Sequence, residues 1–133
     1  PVHSGAGRAL VMDDEPLLRN LLTTQLQEMG YRVTAVSEGD AALLAHRQAQ
    51  AEGLPFVLAV LDLTIPGGMG GRELMARLRE TDQAIAAIAS SGYAGDPVLS
   101  EPKEYGFDAQ LAKPYRRQEL VAALEAALAQ RRH

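Results

Sequence analysis

The stretch "AVLDLTIPGGMGG", residues 59–71, runs an apolar segment into a single acid, Asp62, and follows it with a proline and four glycines. Two adjacent acids, Asp13 and Asp14, close another apolar run, Ser90 and Ser91 precede Gly92, and Lys113 precedes Pro114. Brought to one place, these residues would do specific chemistry. At ~4 Å two carboxylates repel by roughly 4 kcal/mol in surroundings of effective dielectric near 20. A hard divalent cation offsets that repulsion, and an all-oxygen donor set favours magnesium over zinc. Magnesium and the Lys113 ammonium both neutralise oxygens of a transferring phosphoryl group. Asp62 is then a candidate nucleophile that forms an aspartyl phosphate.

Each residue also has a plainer reading. An acid pair ahead of a helix can simply cap it. "GGMGG" can be a turn, Ser91 a turn hydroxyl and Lys113 a solvated surface lysine. Against this, the glycines leave room for a bulky phosphodonor at Asp62. Gly92 leaves room beside Ser91, whose hydroxyl is within reach of a phosphoryl oxygen on this reading. The glycine spacing fits neither G-x-G-x-x-G nor the Walker pattern and follows the wrong strand for a nucleotide cradle, so no organic cofactor site is expected. Pro114 points to a cis peptide that turns Lys113 back toward the acids, although cis is the minority X–Pro state. His3, His46 and His133 have no evident acidic or hydroxyl partner and read as surface or linker residues.

The elements that would position these groups alternate in period. Strand-like runs cover 8–13 ("RALVMD"), 31–36 ("YRVTAV"), 56–62 ("FVLAVLD"), the alanine-rich "AIAAIASSG" and "FDAQLAK". Between them lie helical patterns. The first carries Leu18, Leu21, Leu22, Leu26 and Met29 as its stripe, with Pro16 in its first turn and Gly30 at its stop. The second is capped by Ser37, with Ala41, Leu44 and Ala45 inward. The third, 71–80, buries Leu74, Met75 and Leu78. The fourth starts at Asp96 and Pro97 and is shortened or bent by Pro102. The last carries Leu120, Leu124, Ala127 and Leu128. Five strands alternating with five helices predict an α/β fold, a doubly wound parallel sheet with helices on both faces. Such sheets place function at the carboxyl ends of their strands, where the strand order reverses. Asp13, Asp14, Asp62, Ser91 and Lys113 all fall at strand ends of that kind.

Composition narrows the classes. The chain has 133 residues, about one domain, and 47% of them are apolar. It has no cysteine, which excludes disulfides, zinc-thiolate sites and a cysteine nucleophile. A formal charge of -4 argues against direct nucleic-acid binding by this domain. No run is long and apolar enough to span a membrane. The opening "PVHSGAGR" lacks an initiator Met and reads as a linker stub over 1–7 of a longer protein, followed by one domain over 8–130 and a tail over 131–133.

Together "VMDDEP", "LDLTIPGGMGG", "SSGYAGDP" and "GFDAQLAKPY" resemble the receiver domain of two-component response regulators, and the wording is similar to receivers attached to hybrid sensor histidine kinases. The resemblance implies a (βα)5 flavodoxin-like fold, Asp62 as phosphoacceptor, and magnesium held by Asp13, Asp14, Asp62 and the backbone carbonyl of Thr64. It implies Ser91 as the switch hydroxyl and Lys113 as the conserved-type lysine. The donor would be a phosphohistidine on a kinase or phosphotransfer domain, and the setting cytoplasmic, with tethering to a membrane sensor. A stand-alone response regulator and a pseudo-receiver interaction module are the alternatives. An aspartate-nucleophile phosphatase is a weaker rival, because Thr64 stands where that class needs a second acid.

Two departures qualify the resemblance. Gln110 stands three positions before Lys113, where such receivers usually carry an aromatic residue, and Pro102 interrupts the fourth helix. Both point to a module that passes or drains phosphate rather than one switching a DNA-binding output. Thr64 and Tyr93 flank the approach of a hydrolytic water, and neither is an acid or an amide.

Overall fold

The computed structural model describes residues 6–131. Strands β1 (Gly7–Met12), β2 (Tyr31–Val36), β3 (Phe56–Asp62), β4 (Ala86–Ser91) and β5 (Ala109–Ala112) pair in parallel in the order β2-β1-β3-β4-β5. Helices α1 (Pro16–Glu28), α2 (Gly39–Ala51), α3 (Gly71–Arg79), α4 (Pro97–Ser100) and α5 (Arg117–Arg131) connect and follow them. The chain steps outward from β1 to β2, then returns across β1 to β3 and continues to β5. The order therefore reverses between β1 and β3, whose carboxyl ends flank the crevice expected of this topology.

The sheet separates two apolar layers. On one face Leu10, Met12, Ala59, Leu61, Ala87 and Ala89 meet α2 and α3. On the other, Ala9, Val11, Leu58, Val60 and Ile88 meet Leu22 and Leu26 of α1 and Leu120, Leu124 and Ala127 of α5. Near-continuous apolar strands are what two covered faces require. In β3, Phe56 and Leu58 belong to opposite layers although two residues apart. The register shift opposite Arg8/Ala9 explains this, since an extra residue, Val57, moves the following side chains to the other face. β4 forms despite its alanines because burial on both faces overrides their helical preference.

The helices show where apolar spacing under-determined the facing side. α3 buries the residues expected, and α5 buries Leu120, Leu124 and Ala127, with Ala123 added and Leu128 only partly buried. In α1 the stripe narrows to Leu22 and Leu26, while Leu21 is 53% exposed. In α2 the expectation is corrected. Gly39, Ala42, Leu43, His46 and Ala49 face inward, and Leu44 is 58% exposed. Two adjacent leucines left the helical phase open, and the true stripe includes a glycine and a histidine that hydrophobicity does not select. Ser37 is not the cap; Glu38 holds that position without a side-chain bond. Pro102 acts as expected. Asp96 Oδ1 accepts the Val98 N–H at 3.0 Å to start α4, which ends after four residues. A 3₁₀ turn over Pro102–Tyr105 follows, closed by left-handed Gly106.

His46 is also corrected. It is fully buried, and its Nε2 lies 2.8 Å from Asp82 Oδ2, joining α2 to the loop before β4. The distance in sequence between the partners hid the pair. His3 and His133 lie outside the described residues, as do 1–5 of the stretch read as linker; Gly7 already belongs to β1 and Arg131 to α5.

Candidate functional site

β1 delivers Asp13 and Asp14, β3 delivers Asp62, and the end of β5 delivers Lys113. Asp13 and Asp62 are each 3% exposed, an expensive place for charge without partners. Asp13 Oδ1 accepts the Glu15 N–H at 2.9 Å, so it does fasten the turn into α1. Its Oδ2 lies 3.0 Å from Lys113 Nζ. Asp62 Oδ1 accepts the Thr64 N–H at 3.0 Å, and Oδ2 accepts from Lys113 Nζ at 3.1 Å. One carboxylate oxygen from each of Asp13, Asp14 and Asp62 lies within 4.8 Å of the others. Lys113 is anchored by its own backbone, whose N–H donates to Ser91 O at 2.8 Å; the Lys113–Pro114 peptide is cis.

The puzzle of the glycine-rich loop resolves at its far end. A methyl group at Gly71 would stand 2.8 Å from the Asp62 carbonyl oxygen, and one at Gly70 would overlap the Leu63 carbonyl. The loop folds back onto the backbone of β3, and only residues without a side chain permit that approach. Gly67, at φ +73°, makes the turn and has open space around it.

A cavity of about 300 Å³ opens over Asp62, walled by Asp14, Glu15, Thr64, Pro66, Gly92, Tyr93 and Lys113. Ser91 is buried, and its hydroxyl serves the following turn, accepting the Tyr93 N–H at 3.0 Å and donating to Tyr93 O at 3.4 Å. That is the bonding of a turn hydroxyl; Gly92 and Tyr93 form the cavity wall beside it. Gln110 is exposed on β5. Glu15 carries no sequence signal beyond its place in the acidic turn. It follows the acid pair, faces Lys113 at 3.9 Å and shares the cavity wall.

Charge is unbalanced here. Three clustered carboxylates face one ammonium. Burial pushes the Asp62 carboxyl up from 3.8 to about 6; the Thr64 N–H and Lys113 oppose the rise, and Asp13 adds to it. Burial pulls Lys113 down, but its bonds and charge pairing with Asp13 and Asp62 outweigh that and leave it above the usual lysine value. Hard oxygen donors carrying excess negative charge fit a small divalent cation.

A family model described as response regulator receiver domain matches residues 9–125. Two-component response regulator PhoP of Pseudomonas aeruginosa is 36% identical over 123 residues, covering 91% of this chain and 51% of its own length. DNA-binding response regulator MtrA of Mycolicibacterium smegmatis is 34% identical over 122 residues, covering 91% of this chain and 50% of its own. The chain thus spans about half the length of the curated relatives it matches. The crystal structure of response regulator protein TrrA from Thermotoga maritima, in complex with Mg(2+)-BeF, aligns with a TM-score of 0.73 at 28% identity over 90% of this chain and 96% of that one.

Proposed function

The chain belongs to the response regulator receiver domains of two-component signalling, and from that premise we propose that it takes a phosphoryl group onto Asp62. The observation that carries this reading is the contact of one ammonium, Lys113, with both Asp13 and Asp62 inside a cluster of three carboxylates. An Asp62 oxygen attacks the phosphorus of a phosphohistidine. The O–P bond forms as the P–N bond breaks, and the imidazole nitrogen keeps the electron pair and takes up a proton. Lys113 neutralises phosphoryl oxygen charge as the group arrives, and the Thr64 N–H fixes the rotation of the Asp62 carboxylate. Asp13, Asp14, Asp62 and the Thr64 carbonyl would hold Mg2+, which supplies further neutralisation of the phosphoryl oxygens. The Ser91 hydroxyl, released from its turn, is the group we assign to the incoming phosphoryl oxygen.

The donor is read as a protein, a histidine kinase or phosphotransfer domain. A groove of about 390 Å³ lined by Leu18, Leu21, Pro114 and Tyr115 adjoins the site through Glu15, Gly92 and Lys113. Leu17, 81% exposed, adds apolar surface on α1. The names of the relatives favour the phosphoacceptor part of a stand-alone transcriptional response regulator over the receiver of a hybrid kinase. Gln110 then requires such a regulator to transmit phosphorylation without a rotating aromatic at that position. We place the domain in the cytoplasm, where histidine kinases present their phosphohistidine; no helix among the described residues is long and apolar enough to cross a membrane.

Beryllofluoride with Mg2+ tests the reading, since it mimics a phosphoryl group on a carboxylate. It is expected to shift the amide resonances of Thr64, Ser91 and Lys113 together, and an unchanged spectrum would mark a pseudo-receiver. The phosphorylated form is expected to outlive seconds, because neither Thr64 nor Tyr93 can orient a water as an acid or amide does. Decay within seconds, followed by phosphate release, would show that another group performs that task.

A further inference from the structure

Gly39 opens α2, is buried, and is not among the glycines with positive φ, so its backbone does not demand glycine. Helix propensity does not favour it either. Space does: a methyl group there would lie 2.6 Å from the Met69 carbonyl oxygen, 2.8 Å from Met69 Cβ and 3.0 Å from its Cγ. Met69 belongs to the β3–α3 loop, which also carries Thr64 and Pro66 in the cavity wall.

We propose that Gly39 is a positioning residue for the magnesium and phosphoryl site, its missing side chain setting where the β3–α3 loop lies. The inference rests on the functional reading above. α2 cannot retreat to relieve a clash. Ala42, Leu43 and Ala49 are locked into the core, and the buried His46–Asp82 pair pins the helix to the loop before β4. On its other side the loop is stopped by the close approach of Gly70 and Gly71 to the carbonyls of Leu63 and Asp62. The segment 64–69 is therefore held between α2 and the end of β3, and a push at Met69 moves Thr64 and Pro66.

The test is a Mg2+ titration of the unphosphorylated chain followed by the Thr64 amide resonance, with thermal unfolding measured in chelator. Gly39→Ala is expected to weaken Mg2+ binding about tenfold, the low end of what is lost when groups that orient metal ligands change. Its unfolding temperature without metal should fall as well, because the nearest atom is backbone and the loop is clamped on both sides, so affinities are compared at a temperature where every chain is folded. Met69→Gly removes the two side-chain atoms but leaves the carbonyl oxygen at 2.6 Å, so in the Gly39→Ala background it is expected to restore part of the affinity, with Met69→Gly alone completing the cycle. Wild-type affinity in Gly39→Ala would overturn the inference, since Gly67 and Gly68 would then have absorbed the push. A loss of which Met69→Gly recovers nothing would overturn it as well. Should Gly39→Ala not fold, the double variant must fold and bind; its failure counts against the proposal. A wild-type chain that binds no Mg2+ would remove both the functional reading and this inference.

Discussion

Asp62→Asn is expected to reduce phosphoryl transfer to the chain by roughly ten thousandfold, the scale on which removal of a covalent nucleophile acts. Asparagine keeps the shape of the side chain, and its Oδ1 can still accept the Thr64 N–H that holds Asp62 at 3.0 Å. What disappears is the anionic oxygen paired with Lys113 at 3.1 Å. Folding is preserved, so the loss isolates chemistry from structure. Asp13→Asn supplies the contrast. It leaves Asp62 in place but removes one of the two acids in close contact with Lys113, at 3.0 Å, and a candidate metal ligand, and transfer should fall only about 10–100-fold. Labelling with phosphoramidate in the presence of Mg2+, read as hydroxylamine-sensitive phosphate, measures both. Equal labelling of wild type and Asp62→Asn would put the acceptor on a different residue.

Both acids are placed by features written in the sequence. A residue at the end of an apolar run is placed by strand alternation and sheet topology, and both are written in residue types. Asp13, Asp14, Asp62 and Lys113 converge because each closes a strand, and parallel strands present their carboxyl ends along one edge. The interruption at Pro102 was legible for an equally local reason, the missing N–H. What escaped depends on contacts between segments far apart in sequence. The His46–Asp82 pair joins residues 36 positions apart, and nothing near His46 announces an acid. The phase of α2 turned on which of two neighbouring leucines met β1 and β3. Gly39 and Gly70 are glycines for the sake of a carbonyl on another segment, and a sequence shows the glycine without its neighbour. The hydroxyl of Ser91 lies between these cases. Its place at the end of β4 was legible, but its bonds to Tyr93 belong to a turn whose geometry only the fold fixes.

The same Asp62→Asn change is expected to stabilise the metal-free chain at neutral pH. Burial raises the Asp62 carboxyl from 3.8 to about 6, against the pull of the Thr64 N–H and Lys113 and with help from Asp13. The folded state therefore holds more protons than the unfolded state between those two values, and stability falls as pH rises through that window. By pH 7.5 the ionised carboxylate subtracts up to about 3 kcal/mol relative to a neutral side chain. Asparagine carries no such charge, and Lys113 keeps Asp13 as a partner at 3.0 Å. In chelator at pH 7.5 the variant should unfold roughly 5–10 °C above wild type. At pH 4 the gap should close, because the wild-type carboxyl is then protonated in the folded state. Saturating Mg2+ should narrow the gap again by stabilising wild type in preference to the variant, since a ligand that binds only the folded state adds to its stability. Thermal unfolding at pH 4, 6 and 7.5, with and without Mg2+, checks all three statements. A metal-free wild type more stable than Asp62→Asn at pH 7.5 would mean that Lys113 already neutralises the cluster, which would remove the electrostatic reason for a divalent cation at this edge.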